Sequence, residues 1–403
     1  MRIIMKKVLF IVVALLALAP VSYGATSKAA PKTLELGSPA PDFKLPGFVI
    51  EQSDSLESAQ IRESVYRLQD FAQSEVLVII FTCNHCPTAQ AYESRIKKLA
   101  DDYRDKSVAV VCITSNDPQA VRLDELGYTD LSDSYGETKA RALYIGGFNC
   151  PYLYDGDHQA MAQAYGPVST PHVFVFDKQR KLRYTGRIDN SENPINITKH
   201  ETRNAIDALL AGRTPSVPKT RPFGCSLKWA SKRESSRKAV EKWNQEQVSI
   251  EPITASAVKA LVQNDSERLR LINVWATWCG ACVAEFPDLV NINRMYRNRD
   301  FEVISISLDV LDNKAKALGF LQKKAASFSN FIYAGEDRDQ LAEALDPSWS
   351  GAMPYTLLVS PAGKIIYRHT GMVDPLELKR AIVETKTIGR FFFNEEFPDR
   401  SLK

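Results

Sequence analysis

The 403-residue chain reads as an α/β protein made of two mixed β-sheets in tandem, each flanked by helices. Three observations predict this. Apolar strand-like runs alternate with helical stretches in both halves. Each half sets a Cys-x-x-Cys pair between a strand and a helix. Each half then places an X-Pro step ahead of two short strands joined by a turn, which makes the sheet mixed. The two pairs and the two X-Pro steps recur at similar offsets, so one architecture is written twice.

The elements follow in order. Residues 1–24 start with Arg2, Lys6 and Lys7, continue as an apolar run from Val8 to Ala19, and end with small Ser22 and Gly24. That is the layout of a secretory signal peptide. An uncleaved anchor is the alternative, although the run is short for a membrane span. No cysteine lies at the cleavage region, which argues against a lipoprotein. The expected location is the bacterial periplasm or cell envelope, without stable membrane insertion once the signal is removed.

The first unit is expected over 36–211. Its strands are Val76–Phe81, Val108–Thr114, His172–Phe176 and Leu182–Gly186. A helix follows Cys83-Asn84-His85-Cys86 to about Tyr103, and Glu201–Ala211 closes the unit. Residues 212–245 read as a linker, rich in Pro and Gly at first and then charged and helical, with a solvated face. The second unit is expected over 246–390. Its strands are Leu271–Trp275, Phe301–Leu308, Tyr355–Val359 and Lys364–His369. Helices run from Cys279-Gly280-Ala281-Cys282 to about Tyr296 and over Pro375–Thr385.

Composition narrows the function. The formal charge is +3, and loss of Arg2, Lys6 and Lys7 with the signal leaves a neutral chain. Nothing there calls for nucleic acid or an anionic membrane. The seven cysteines are too sparse for a disulfide scaffold, and an odd number leaves at least one unpaired.

A cysteine at a helix N-terminus meets partial positive charge and free N–H groups, which stabilise its thiolate. Cys83 and Cys279 are therefore the expected attackers, and Cys86 and Cys282 the resolving thiols. A four-thiolate zinc site is the alternative, but each pair heads its own helix behind its own strand. Haem attachment would need His directly after the second cysteine, where Pro87 and Val283 stand. No pattern requires a cofactor or metal, and His158, His172, His200 and His369 show no ligand spacing. Cys112 reads as a small core residue. Cys150 and Cys225 lie in loop and linker, as a disulfide or as extra thiols.

Trp275-Ala276-Thr277-Trp278-Cys279-Gly280-Ala281-Cys282 with Glu285-Phe286-Pro287 resembles the TlpA/ResA-like periplasmic thioredoxins over about 246–390. The resemblance implies a thioredoxin fold, a cis peptide at Met353-Pro354 facing the cysteines, and Glu285 as a proton relay that tunes their pKa values. It also implies protein disulfides as substrates, apocytochromes c among them. The alternative for Glu285 is a solvated helix carboxylate.

Phe81-Thr82-Cys83-Asn84-His85-Cys86-Pro87 is similar instead to redoxin-domain proteins of the AhpC/TSA class. So are Thr170-Pro171-His172, Gly186-Arg187-Ile188-Asp189 and the tail Gly224-Cys225-Ser226-Leu227-Lys228-Trp229. The similarity spans about 36–229. The Pro and Thr that precede a peroxidatic cysteine in that class are missing here.

His85, between the cysteines, resembles the histidine of strongly oxidising thioredoxin-like proteins. It is expected to favour the Cys83 thiolate and raise the potential of its pair; a loop histidine is the alternative. The expected function is a thiol–disulfide oxidoreductase acting through two Cys-x-x-Cys sites, with electrons passing from Cys279/Cys282 to Cys83/Cys86. Its partners would be protein thiols and a membrane or envelope electron donor. A thiol peroxidase and a non-catalytic scaffold are the competing readings.

Overall fold

The computed structural model describes residues 31–51, 60–145 and 147–389. The signal-peptide reading of 1–24 lies outside the described residues. Among the described residues, no helix is long and apolar enough to cross a membrane.

The first sheet contains β1 (Lys44–Glu51), β2 (Gln60–Arg67), β3 (Val76–Phe81), β4 (Val108–Thr114), β5 (Tyr152–Tyr154), β6 (His172–Phe176) and β7 (Leu182–Gly186). Their spatial order is β2-β1-β5-β4-β3-β6-β7. The second sheet contains β8 (Glu251–Ile253), β9 (Leu269–Trp275), β10 (Phe301–Ser307), β11 (Ser329–Tyr333), β12 (Tyr355–Val359) and β13 (Ile365–Thr370), in the order β13-β12-β9-β10-β11-β8.

The shared part is the run β7-β6-β3-β4 and its counterpart β13-β12-β9-β10. In each, the strand leading to the cysteines pairs parallel on one side and antiparallel on the other. This is the thioredoxin-like order, present twice. The sheets differ outside it, where the first adds the hairpin β1–β2 and the second adds β11 and β8.

The helices are α1 (Pro87–Tyr103), α2 (Tyr135–Tyr144), α3 (Ala160–Tyr165), α4 (Glu201–Leu210), α5 (Arg233–Asn244), α6 (Ala255–Gln263), α7 (Gly280–Tyr296), α8 (Lys314–Lys323), α9 (Arg338–Leu345) and α10 (Pro375–Val383).

Central strands buried on both faces read as unbroken apolar runs. In β3, Val76, Val78 and Ile80 face Tyr92, Ile96 and Leu99 of α1. Its other face sets Leu77, Ile79 and Phe81 against Phe43 and Tyr165. In β9, Leu269 and Leu271 pack with Phe286 and Leu289 of α7, and Ile272 and Val274 line the opposite face. Each fully buried aliphatic or aromatic side chain contributes roughly 1.5–3 kcal/mol, so these layers hold the cysteine turns on rigid supports.

The region read as a linker is not a free connector. It follows the first sheet as an extended segment whose backbone finds partners there. Thr185 N–H donates to Pro218 O at 3.1 Å, and Thr220 N–H returns a bond to Thr185 O at 3.0 Å. Thr170 N–H donates to Cys225 O at 2.9 Å, and Asp117 N–H to Lys228 O at 2.9 Å. The charges of α5 are mostly exposed as expected, but Arg233 Nε binds the buried Asp117 at 2.6 Å, and Trp243 is buried beneath the Arg294 guanidinium.

The two units also pack on each other. Val121 and Leu126 of the first belong to the apolar cluster around α7. Tyr296 Oη donates to Thr129 O at 2.8 Å. Arg380 Nε binds Asp130 at 3.1 Å, and Arg299 lies 3.8 Å over the Tyr128 ring.

Candidate functional site

In the second unit, β9 delivers the chain to the N-terminus of α7. Cys279 is the helix N-cap and is bonded to Cys282, with their Cα atoms 5.3 Å apart. The Cys282 N–H donates to Cys279 Sγ at 3.3 Å. Asp309 fixes the preceding turn by accepting from Thr277 N–H at 2.9 Å and Thr277 Oγ1 at 2.6 Å. Cys282 is buried, Cys279 is partly accessible, and Trp278 beside it is 58% exposed. Tyr355 of β12 pairs with Val274, which carries the cis Met353-Pro354 bond to the cysteine end of β9.

Glu285 lies one turn beyond Cys282, on the same helix face. It is 1% exposed, so it is not a solvated surface carboxylate. Asn273 Nδ2 donates to its Oε1 at 2.8 Å and Val373 N–H to its Oε2 at 3.1 Å. Burial nevertheless pushes its pKa above the ordinary carboxylate value, against those two hydrogen bonds.

The first unit builds its turn differently. Pro87 takes the first helical position, where its missing N–H is not needed. Helix α1 therefore starts at Pro87, and its N-cap is Cys86 rather than Cys83. Both thiols are free and buried. Phe81 pairs with His172, which brings the cis Thr170-Pro171 bond over them. Thr170 Oγ1 is 3.1 Å from Cys83 Sγ, and Thr170 O is 3.3 Å from Cys86 Sγ.

The cysteine at the helix end is thus Cys86, not Cys83 as expected. Burial pushes the Cys83 thiol up, and the neighbouring Cys86 and Asp133 push it further. Cys86 is held well below the ordinary thiol value. Burial and the Thr170 carbonyl oppose its charge. Hydrogen bonds from Cys225 and Cys83, the charge of His85 and the Ala89 N–H outweigh them. Cys225 and Cys83 do most to lower the Cys86 thiol, and the N–H of Ala89 in the first turn of α1 adds to them.

His85 is not an exposed loop residue. It is 2% exposed, and its Nδ1 lies 2.5 Å from Asp133 Oδ2. Asp133 also accepts from Asn84 N–H at 2.7 Å, His85 N–H at 3.2 Å and Asn116 Nδ2 at 2.9 Å. Burial opposes the imidazolium, but Asp133 wins and raises the His85 pKa. The positive charge supports the Cys86 thiolate rather than that of Cys83.

Among the described residues, Cys83, His85 and Asp133 form the cluster that could hold a metal, with donor atoms within 4.8 Å of one another. The Asp133 carboxylate, however, already accepts four N–H bonds, which occupy its lone pairs.

Cys150 and Cys225 are not brought together. Cys150 lies 3.7 Å, sulfur to sulfur, from Cys112, because β5 pairs alongside β4. Cys112 is a core residue, as read. Cys225 sits on the Cys83–Cys86 site, its N–H donating to Cys86 Sγ at 3.3 Å. His172 is structural. Its Nδ1 accepts from Val168 N–H and its Nε2 contacts Thr185 Oγ1, and burial lowers its pKa to about 3. Sequence reasoning missed Asp133, Asn116 and Thr170. Asp133 is 48 positions from His85, with no local spacing to mark it.

The two sites lie at opposite ends of α7. A cavity of about 360 Å³ beside the first site is lined by His85, Pro87 and Cys225, and by Met295 and Arg299 at the far end of that helix. The 17 residues of α7 span roughly 25 Å, and Cys279 is at the other end. The two cysteine pairs are therefore not in direct contact.

Residues 35–206 and 260–385 match the Redoxin family. Thiol-disulfide oxidoreductase ResA of Bacillus subtilis is 28% identical over 100 residues, which is 25% of this chain and 51% of that protein. Thiol:disulfide interchange protein DsbE of Tatumella citrea is 34% identical over 101 residues, 25% of this chain and 49% of that one. The chain thus spans about half the length of the curated relatives it matches. A solved structure of an uncharacterized conserved protein from Geobacillus kaustophilus is 35% identical, covering 48% of this chain and 92% of that one with a TM-score of 0.40. With both matched regions together taking in most of the sequence, the chain belongs to the Redoxin family.

Proposed function

We propose that the protein is an exported thiol–disulfide oxidoreductase of the cell envelope with two unequal sites. The observation that carries this reading is the Cys279–Cys282 disulfide at the N-terminus of α7, with Cys279 partly accessible and buried Glu285 one turn behind it. A nucleophile at a helix end, a resolving thiol one turn on and a carboxyl poised to carry a proton are the parts disulfide exchange requires. The relatives' names, interchange protein and oxidoreductase, support the same reading. Protein disulfides are the substrates, and an envelope electron donor returns the pair to the reduced state.

The second site accepts external substrates. The first, with its cysteines buried, is the more oxidising pair, because stabilising the Cys86 thiolate favours the reduced form. Any relay between them uses a carrier thiol or a rearrangement of the two units.

Full-length protein with Cys279→Ser/Cys282→Ser should lose at least nine-tenths of its insulin-reducing activity, and Cys83→Ser/Cys86→Ser should keep most of it. Activity that survives both double changes would remove the oxidoreductase reading in favour of a scaffold. Peroxide consumption that needs Cys83 and survives loss of Cys282 would favour a peroxidase. The same variants titrated in glutathione buffers give the two potentials, and equal or reversed values would remove their ordering.

A further inference from the structure

The first site is covered by its own chain. The segment from Pro222 to Lys228 crosses the site beside the cis Thr170-Pro171 bond. Thr170 and Cys225 form an antiparallel bridge, in which Thr170 N–H donates to Cys225 O at 2.9 Å. Extended peptides dock on strand edges through such main-chain bonds.

The segment is also pressed close. At Gly224, with φ of +133°, an added Cβ would lie 2.0 Å from Thr170 O, so only glycine permits this approach. Its far end is tied by Lys228 N–H to Asn116 Oδ1 at 2.8 Å and by Lys228 Nζ to Glu125 at 2.5 Å. Beneath it Cys83 is 3% exposed and Cys86 is fully buried. The Cys225 side chain packs against Cys83 and Cys86, and its N–H donates to Cys86 Sγ at 3.3 Å.

We propose that Cys225 is the third redox-active thiol of this site: the 222–228 segment is a tethered peptide substrate whose cysteine exchanges into a Cys86–Cys225 disulfide. The proposal rests on the reading of Cys83 and Cys86 as a redox pair. Starting from a Cys83–Cys86 disulfide, Cys225 loses its proton and its sulfur attacks Cys86 Sγ. The Sγ83–Sγ86 bond breaks, the Sγ86–Sγ225 bond forms, and Cys83 leaves with the electron pair and takes up the proton. No electrons are gained or lost, and one disulfide replaces another. A thiol bound to Cys86 as a mixed disulfide is displaced the same way, leaving with a proton while Cys86 and Cys225 join. The tether makes that step intramolecular, so it outruns a free thiol. Cys225 thereby retains the oxidising equivalent inside the protein.

The test uses the full chain with Cys279→Ser/Cys282→Ser, so that the other site is silent. The protein is equilibrated in glutathione buffers, quenched with acid, alkylated and mapped as tryptic peptides. Cys83 and Cys86 share one peptide and Cys225 lies on another, so a Cys86–Cys225 bond appears as a cross-linked pair. We expect that pair in the oxidised protein, and at full occupancy when Cys83→Ser is added. Cys83→Ser alone should carry no bound glutathione, whereas Cys83→Ser/Cys225→Ser should carry one glutathione on Cys86. Gly224→Ala should speed alkylation of reduced Cys86 at least tenfold by lifting the segment.

Oxidised protein holding only the Cys83–Cys86 bond, with Cys225 alkylated and glutathione retained by Cys83→Ser, would overturn the role of Cys225 and leave the redox pair standing. Absence of every disulfide among the three thiols in oxidising buffer would overturn both.

Discussion

At the scale of single residues, the first site is governed by one buried ion pair. His85 and Asp133 are 2% and 0% exposed, and each holds the other in its charged form. The His85 pKa is raised above its ordinary 6.5, so its contribution to stability is complete below that value and is lost as pH rises through the folded pKa. The Asp133 pKa is lowered below its ordinary 3.8, so its contribution is complete above that value and is lost as pH falls through the folded pKa. Asp133→Asn should therefore cost most, about 3 kcal/mol, between roughly pH 4 and pH 6.5. Urea unfolding as a function of pH measures this. The variant should also lower the His85 pKa, read from the imidazole resonances by NMR. An unchanged His85 titration would mean the pair carries no charge.

At the scale of elements, strands with continuous apolar runs were the most legible part of the sequence. Val76–Phe81, Val108–Thr114 and His172–Phe176 have the boundaries their composition announces, because a strand buried on both faces has no polar interruption. The hairpin β1–β2 and the short β5 and β8 went unread. β2 is exposed at nearly every position, and it persists through its ladder to β1 rather than through any pattern of its own. The helix α1 was read correctly as starting after Cys86, but the sulfur at its end was taken to be Cys83. Pro87 was visible, but its consequence for which cysteine becomes the N-cap was not drawn from spacing alone. Helix α7 shows what contact between units adds. Tyr296→Phe removes its bond to Thr129 O and should destabilise the protein by about 1 kcal/mol, as a shift in the urea midpoint with unchanged slope. No shift would mean that the hydroxyl contributes nothing across this contact.

At the scale of the whole molecule, two copies of one strand order have diverged in access. The second copy leaves Cys279 and Trp278 open to the surroundings, and the first places its cysteines beneath the chain that connects the copies. The duplication was legible because strand, cysteine pair, helix and X-Pro step recur in sequence order. The docking of the connecting segment was not, since its hydrogen bonds are made by backbone groups that residue identity does not advertise. Gly224 was the one letter that carried that information, through the contact its missing side chain allows.

Val121 and Leu126, contributed by the first unit to the apolar cluster around α7, bear on how the protein melts. Two independent domains would give two heat-absorption peaks. A cluster filled from both sides makes loss of one unit expose the other's interior, so calorimetry should record one cooperative transition. Substituting Leu126→Ala would open a cavity in that cluster at a cost of about 2–5 kcal/mol and should split the single peak in two. A wild-type protein that already melts in two steps would mean the cluster does not couple the units. In the single-transition case neither half can be excised at the connecting segment without baring part of the other's interior, and evolution could retune the two redox centres separately but could not separate the bodies that carry them.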